Sequence, residues 1–410
     1  MDCKHTAMTN SLRIAKPLLV VVLLLSQPLF AKTLRLGLSI NMSGANAHYA
    51  LDFINGIDAF ITAENAKERF GKYKLELVVM DDFGEKERVY ANAKRLLKHK
   101  NVLALFTEQD LSDVPKLISL ARQYKTLLLS SAVTEQEFSH KQLEYLGLLT
   151  NPPKQILEPA YGLITQAQHI YLLSNSQVPT QKWLTSVQQK TTRPVELLGP
   201  TQLDTTKPPE HSLFIVHSDY LQAVQPILNI LKSNANARVL VLPQAATTLI
   251  ANALSHKLSE QELQRLYYLS TVPLHLANLP LLSRFFSDMQ SYNLHATASH
   301  QAFKGYFLGY MAAESIHQSI KRIETDSVLD VVTLPFQVLD QVVGWVKNAG
   351  SDMSTSEVAD TFGQLKNLNV GLHRPITIGK RRIILGESWL TRANKQTEFV
   401  EVLPPTEELF

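Results

Sequence analysis

Short apolar runs and helically spaced apolar positions take turns along most of the 410-residue chain. "TLRLGLSI" reads as a strand, and Tyr49 to Asn65 then carries its apolar residues at helical spacing. "YKLELVVMDD" is the next strand and Lys86 to Lys98 the next helix, followed by "VLALF", a helix over Asp113 to Tyr124, and "KTLLLSS". Strands that are apolar almost throughout, rather than at every second position, are covered on both faces. With helices between them they build βαβ units around a parallel sheet. "YLGLLT" ends this block, and "NPPK" opens a new helix with its prolines in the first turn, where a missing amide costs nothing. The pattern then restarts, with strands at "HIYLLS", "PVELLG", "SLFIVHS", "RVLVLPQ" and "LYYLSTVP" and helices over Thr180 to Lys190 and Tyr220 to Ser233.

After Pro273 the pattern turns helical, over Leu279 to Tyr292, His300 to Ile323 and Ser327 to Asn348. The tail "HRPITIGKRRIILGESWLTRANKQTEFVEVL" reads as short strands and turns. A late helical block behind two α/β blocks suggests that the chain crosses back to complete the first of them. The expectation is therefore an α/β protein of two doubly wound parallel-sheet lobes. Residues 32–149 start the first lobe and 150–274 form most of the second; 275–365 return helices to the first, and 366–410 supply a hinge return and C-terminal strands.

The first 31 residues change the compartment. Lys4, Arg13 and Lys16 lead into the apolar run "PLLVVVLLL" and then "SQPLFAKT", the layout of a cleaved secretory signal with Ala31 as its last residue. Pro17 to Phe30 is too short for the roughly 20 residues that span a bilayer. The single cysteine, Cys3, leaves with that segment, so neither a disulfide nor a thiolate site is expected in the mature chain. The net charge of +3 falls near +1 once the segment is removed, and no long run of one sign remains, which argues against nucleic acid as a partner. A location in the periplasm follows, and a monomer is expected.

Candidate chemistry is sparse. The stretch "NMSGANAHYA" places a small-residue loop between a strand and a helix, but neither GxGxxG nor GxxxxGK[ST] is present. Helix-start amides still favour an anionic group there, while Ser43 would serve equally as a helix N-cap. Two further loops, "TEQDLSDV" and "SSAVTEQEF", leave the same end of the first sheet, where open parallel sheets bind ligands. No hydrolase elbow, zinc helix or calcium loop occurs, so no catalytic residue, metal ligand or cofactor is expected. "HSD" at His217 to Asp219 reads as a strand end plus a helix cap, and "FKGYFLGYMAAESI" as a buried helix face. Asp81 and Asp82, ahead of Gly84, read as a turn.

In order and spacing these motifs resemble the type I periplasmic solute-binding proteins, in particular the branched-chain amino-acid/amide group of ABC transporter receptors. "NMSGANAHYALDFINGIDAFI" matches that family's loop and first helix, and "LELVVMDDFGEKERVYANAKRLLKHKNVLALF" its strand ending in two aspartates, its helix and its third strand. The resemblance implies two lobes that close on a small ligand about a three-segment hinge. Carried over by position, it assigns ligand contacts to Ser43 and Tyr49, to Thr107 and Ser112, and to Ser131 and Thr134, with Ser174, Asn175 and Asp219 from the second lobe. The family's small turn after the third strand is here "TEQDLS", acidic at Glu108 and Asp110, which makes Glu108 a further candidate and points away from a plain leucine-type ligand. The function so implied is a receptor that closes on a small polar ligand (an amino acid, an amide or similar) and presents it to an ABC transporter membrane permease. The alternatives are a ligand-sensing partner of a membrane sensor protein, and a pocket-less envelope interaction or regulatory protein of the same fold.

Overall fold

The structure is a computed structural model that describes residues 32–44, 47–109, 115–132, 138–174, 177–199, 209–217, 220–243, 247–274, 278–332, 353–372, 374–378, 382–385, 387–396 and 399–401. Strands β1 (Lys32–Ile40), β2 (Tyr73–Asp81), β3 (Ala104–Thr107), β4 (Leu127–Ser130) and β5 (Leu146–Leu148) form a five-stranded parallel sheet in the order β2-β1-β3-β4-β5. Between them run helices α1 (Ala47–Ala66), α2 (Lys86–Lys100), α3 (Pro115–Gln123) and the short α4 (His140–Leu143). Central strands β3 and β4 are buried along their whole length, as apolar runs without alternation require.

The chain then enters the second lobe through α5 (Pro153–Ile156), a 3₁₀ turn at Glu158–Ala160, and α6 (Tyr161–Gln166). Parallel strands β6 (His169–Ser174), β7 (Val195–Leu198), β8 (Ser212–His217), β9 (Arg238–Val241) and β10 (Leu266–Ser270) follow. Their connecting helices are α7 (Gln177–Gln188), α8 (Tyr220–Ser233), α9 (Thr247–Ser255) and α10 (Glu260–Leu263). Helix α8 carries Pro226 in its interior, and α10 begins with a full capping box between Ser259 and Glu262.

Three later helices return to the first lobe: α11 (Pro280–Tyr292), α12 (His300–Val332) and α13 (Thr355–Gln364). The structure departs from the pattern here. A break was expected after Ile323, yet α12 runs through to Val332, because Glu324, Thr325 and Asp326 are polar without being helix breakers. The remainder of the expected helix to Asn348 lies outside the described residues. Finally β11 (Trp389–Ala393) pairs antiparallel with β10 and β12 (Phe399–Glu401) antiparallel with β11, completing a seven-stranded sheet in the order β12-β11-β10-β9-β8-β6-β7. The chain thus passes between lobes three times: after β5, after β10, and after Leu385, where Ile384 and Leu385 donate to the carbonyls of Leu148 and Leu149, each at 2.8 Å.

Helices α1 and α12 run side by side in the same direction. Asp52 meets Ser299 near their starts, Phe60 packs edge-on against Tyr306 in the middle, and Phe70 meets His317 further along. Their backbones come so close that a Cβ at Gly56 would lie 1.9 Å from the Ala302 carbonyl, and one at Gly305 2.1 Å from that of Phe53. No other residue fits either position without separating the helices. At the far end of α1, the buried carboxylate of Glu64 accepts from Arg69 at 2.7 Å, from Lys67 at 3.3 Å and from Arg284. Arg69 also pairs with Glu314, and Arg284 with Asp288 at 3.3 Å, so this network ties α1 to α11 and α12. Burial opposes ionisation of Glu64, but Arg69, Arg284 and Lys67 outweigh it and hold its carboxyl below the ordinary range.

Candidate functional site

The carboxyl ends of β1 to β4 share one edge of the first sheet, and Ser43 and Thr107 there are engaged within the protein. Ser43 is tied to the end of β2. Its hydroxyl donates to Asp81 Oδ2 at 2.5 Å, and its amide donates to Asn41 Oδ1 at 3.1 Å. Asp81 also accepts from the amides of Met42 (3.0 Å) and Phe83 (2.8 Å). Burial resists its charge, but these bonds and Arg88 outweigh that resistance and keep its carboxyl below the usual range. Asp82 is fully buried, accepts from Ser39 Oγ at 3.1 Å and from the Gly84 amide at 2.9 Å, and is pushed up chiefly by burial. The two aspartates therefore make the turn anticipated from sequence and also hold the first loop, Ser43 included.

Thr107 is buried and shapes the next loop: its hydroxyl accepts from the Gln109 amide at 3.1 Å and its carbonyl from the Ser131 amide at 3.1 Å. Ser131 is 1% exposed, and its hydroxyl has no partner among the described residues. Ser112, Thr134, Asn175 and Asp219 lie outside the described residues, as does Asp110. Ser174 ends β6, half-buried and in register with His217 at the end of β8.

Glu108 follows Thr107 along this edge. Burial pushes its carboxyl up to about 7; Lys304 opposes that rise, and the neighbouring Asp82 adds to it. Lys304, one turn into α12, is itself buried, which drives its ammonium down despite the attraction of Glu108. The two charges feel each other, yet no ion pair within 4 Å joins them among the described residues. Beside Lys304 on the same helix face, Gln301 is 0% exposed, and neither atom of its amide has a partner among the described residues. Buried polar groups normally find partners. Here a hydroxyl, a carboxamide and two mutually neutralising charges are enclosed at one edge, together with the amino ends of α1 and α12, neither of which carries an acid in its first turn.

Among the described residues the two lobes meet at this edge through Thr248 and through Tyr49. Thr248, at the start of α9, has its hydroxyl 2.9 Å from His300 Nδ1, and the His300 amide donates back to it at 3.3 Å. Tyr49, in the first turn of α1, is 8% exposed and belongs to the second lobe's core cluster with Tyr171, Phe214 and Tyr268. Tyr49 is thus a first-lobe residue seated in second-lobe packing. His217 has a buried Nδ1 without a partner among the described residues, and burial followed by the charge of Lys182 pushes it down to about 4, so the ring is neutral at physiological pH.

Sequence reasoning missed Lys304, Gln301, His300 and Thr248. "HQAFKGYF" looks like one face of a buried helix, and the signal within it was a lysine in an otherwise uncharged run. Among the described residues no group of three or more His, Cys, Asp or Glu is placed to hold a metal ion, and no described helix is long and apolar enough to cross a membrane.

Two α/β lobes joined by three crossings define a type I bilobal binding-protein fold. Residues 33–334 match the family model described as "Periplasmic binding protein", and the chain belongs to that family. The family is one of binding proteins rather than enzymes. No curated protein matches the chain. Among solved structures it is similar to a possible leucine/isoleucine/valine-binding protein from Rhodopirellula baltica SH 1, at 18% identity and TM-score 0.70, covering 94% of this chain and 100% of that one. LivJ from Streptococcus pneumoniae, solved with isoleucine, is similar at 14% identity and TM-score 0.69 over 90% and 100% of the two chains. A fatty acid ABC transporter substrate-binding protein from Thermomonospora curvata is similar at 12% identity and TM-score 0.65 over 92% and 95%. At these identities the likeness establishes the fold.

Proposed function

We propose that this protein is a periplasmic receptor that closes its lobes on a small polar ligand carrying an amino or amide group and presents it to the membrane permease of an ABC transporter. The reading rests on one observation: the enclosed, unpartnered polar groups of Ser131 and Gln301 beside the separated charges of Glu108 and Lys304. Partners that the protein does not supply are what a polar ligand would bring. Glu108 takes the ligand's hydrogen-bond donors, Ser131 and Gln301 its remaining polar atoms, and Lys304 its acceptor. Ser43 and Thr107 act through the loops they brace. Ser174 faces the ligand from the second lobe, while Tyr49 and the Thr248–His300 bond hold the closed arrangement. The loop positions Ser112, Thr134, Asn175 and Asp219 complete the proposed set.

A screen of amino acids, amides and short polar metabolites against the purified protein tests this. The matching ligand raises the melting temperature by several degrees at saturation. Ser131→Ala weakens its binding about tenfold. A screen without any shift, together with a native mass spectrum of cell-derived protein showing no bound molecule, would refute the receptor reading.

A further inference from the structure

Away from the cleft, the second lobe gathers cations around a cavity. Arg238 opens β9 and Arg265 immediately precedes β10, so both lie at the amino ends of strands whose carboxyl ends face the cleft. Arg392 on β11 reaches the same edge, because that strand runs antiparallel past Tyr268. The cavity measures about 530 Å³, and its lining includes Lys232, Arg238, Ser259, Gln264, Arg265 and Arg392. Four cations face one carboxylate, Glu262. That carboxylate accepts from the amide of Ser259 at 2.6 Å and its hydroxyl at 2.8 Å.

The arginines are fixed, and they are not equivalent. Arg265 spends its guanidinium on the end of α8, donating to the carbonyls of Leu231 (2.6 Å), Asn234 (2.6 Å) and Ala237 (3.2 Å). It is structural. Arg238 Nη1 and Arg392 Nη2 share the hydroxyl of the buried Tyr267, at 3.1 and 2.6 Å, and Arg392 also lies 4.5 Å over that ring. This holds two guanidinium groups on one neutral oxygen. The buried Nε of Arg392 has no hydrogen-bond partner among the described residues. The rigid fork of donors on Arg392 matches the oxygens of a phosphate. A phosphate monoester carries close to two negative charges, which suits several cations better than a single carboxylate would. The volume falls within the range of small-molecule sites.

We propose that this cavity is a second binding site, for a phosphate monoester group that Arg392 grips while Arg238 and Lys232 supply the surrounding charge. The group can belong to a free metabolite or to a lipid headgroup, and the test separates the two. Calorimetric titration of the purified protein uses inorganic phosphate and glycerol 3-phosphate as probes, in parallel with sedimentation on vesicles of phosphatidylcholine with and without phosphatidic acid, whose headgroup is a phosphate monoester. Binding of the soluble probes is expected to weaken with added salt and to weaken about tenfold or more in Arg392→Ala. Lys232→Ala, an exposed position that the fold does not need, gives a smaller loss and carries the test should Arg392→Ala fail to fold. Soluble binding without vesicle binding assigns a free metabolite. Binding to the vesicles that contain phosphatidic acid, competed away by glycerol 3-phosphate, assigns a headgroup. Failure of both probes and both vesicles to bind, or binding that neither substitution changes, overturns the proposal.

Discussion

Replacing Glu108 by glutamine keeps the side chain's shape and removes its charge, and the consequence should depend on pH. In the folded protein burial lifts this carboxyl from its ordinary 4.5 to about 7. Between those values the folded state holds a proton that the unfolded chain releases, so wild-type stability falls as pH rises through the window. At 1.36 kcal/mol per unit, the full interval is worth about 3 kcal/mol, or about 6 °C in melting temperature for a lobe of this size. The amide has no such cost. Glu108→Gln should therefore melt with wild type near pH 5 and progressively above it up to pH 8. Asp58, which burial pushes up to about 6 against a hydrogen bond from Tyr292, contributes a slope of the same sign in both proteins and cancels in the difference. Calorimetric scans of the two proteins at half-unit steps from pH 5 to 8 measure that difference directly. Parallel curves would show that Glu108 is not enclosed as described, and the argument for a ligand beside it would fall with them.

Glu64→Gln leaves Arg69, Arg284 and Lys67 without their shared carboxylate and should cost about 3 kcal/mol at pH 7, the low end for a broken buried pair because the arginines are partly exposed. Since the carboxyl of Glu64 is held low, its contribution is present above the ordinary carboxylate range and is lost as pH falls through the folded value. Denaturation of wild type and variant should therefore converge in acid, and a gap that persists there would contradict the assignment. Gly305→Ala puts a methyl group against the Phe53 carbonyl and should destabilise the first lobe by about 2 kcal/mol or more, read from urea midpoints at unchanged m. Tyr49→Ala removes the first-lobe side chain seated in the second lobe and should widen the ligand-free molecule in small-angle scattering, with little change in secondary structure by circular dichroism.

The strands were legible in the sequence because nearly unbroken apolar runs such as "VLALF" and "KTLLL" have few other uses in a helix-rich context. The join between α12 and the helix expected after it was misjudged, since three polar residues in a row look like a boundary while costing a helix little. Glu108 stood out as the acidic departure in its loop, and the structure encloses it. Its counterpart could not be seen: Lys304 lies almost two hundred positions away, in a helix whose path back to the first lobe no local pattern specifies. Ser43 shows the same limit at short range. As a small polar residue ahead of a helix it suggests a cap, but Asp81, delivered by the adjacent strand β2, takes its hydroxyl instead.

The return of α11, α12 and α13 to the first lobe sets an order of assembly. The second lobe's strands β6 to β10 are contiguous in the chain, and they can collapse as soon as they are available. The first lobe has all five strands early, yet α1 presents to solvent the stripe that later receives α12, and Glu64 waits for Arg284, 220 positions downstream. Closing so long a loop is slow, and a half-built sheet with an uncovered apolar face is prone to associate. During synthesis the amino-terminal lobe therefore waits longest with an uncovered apolar face. A chain truncated before Pro280 should keep a protease-resistant fragment from its middle while its amino-terminal third is digested.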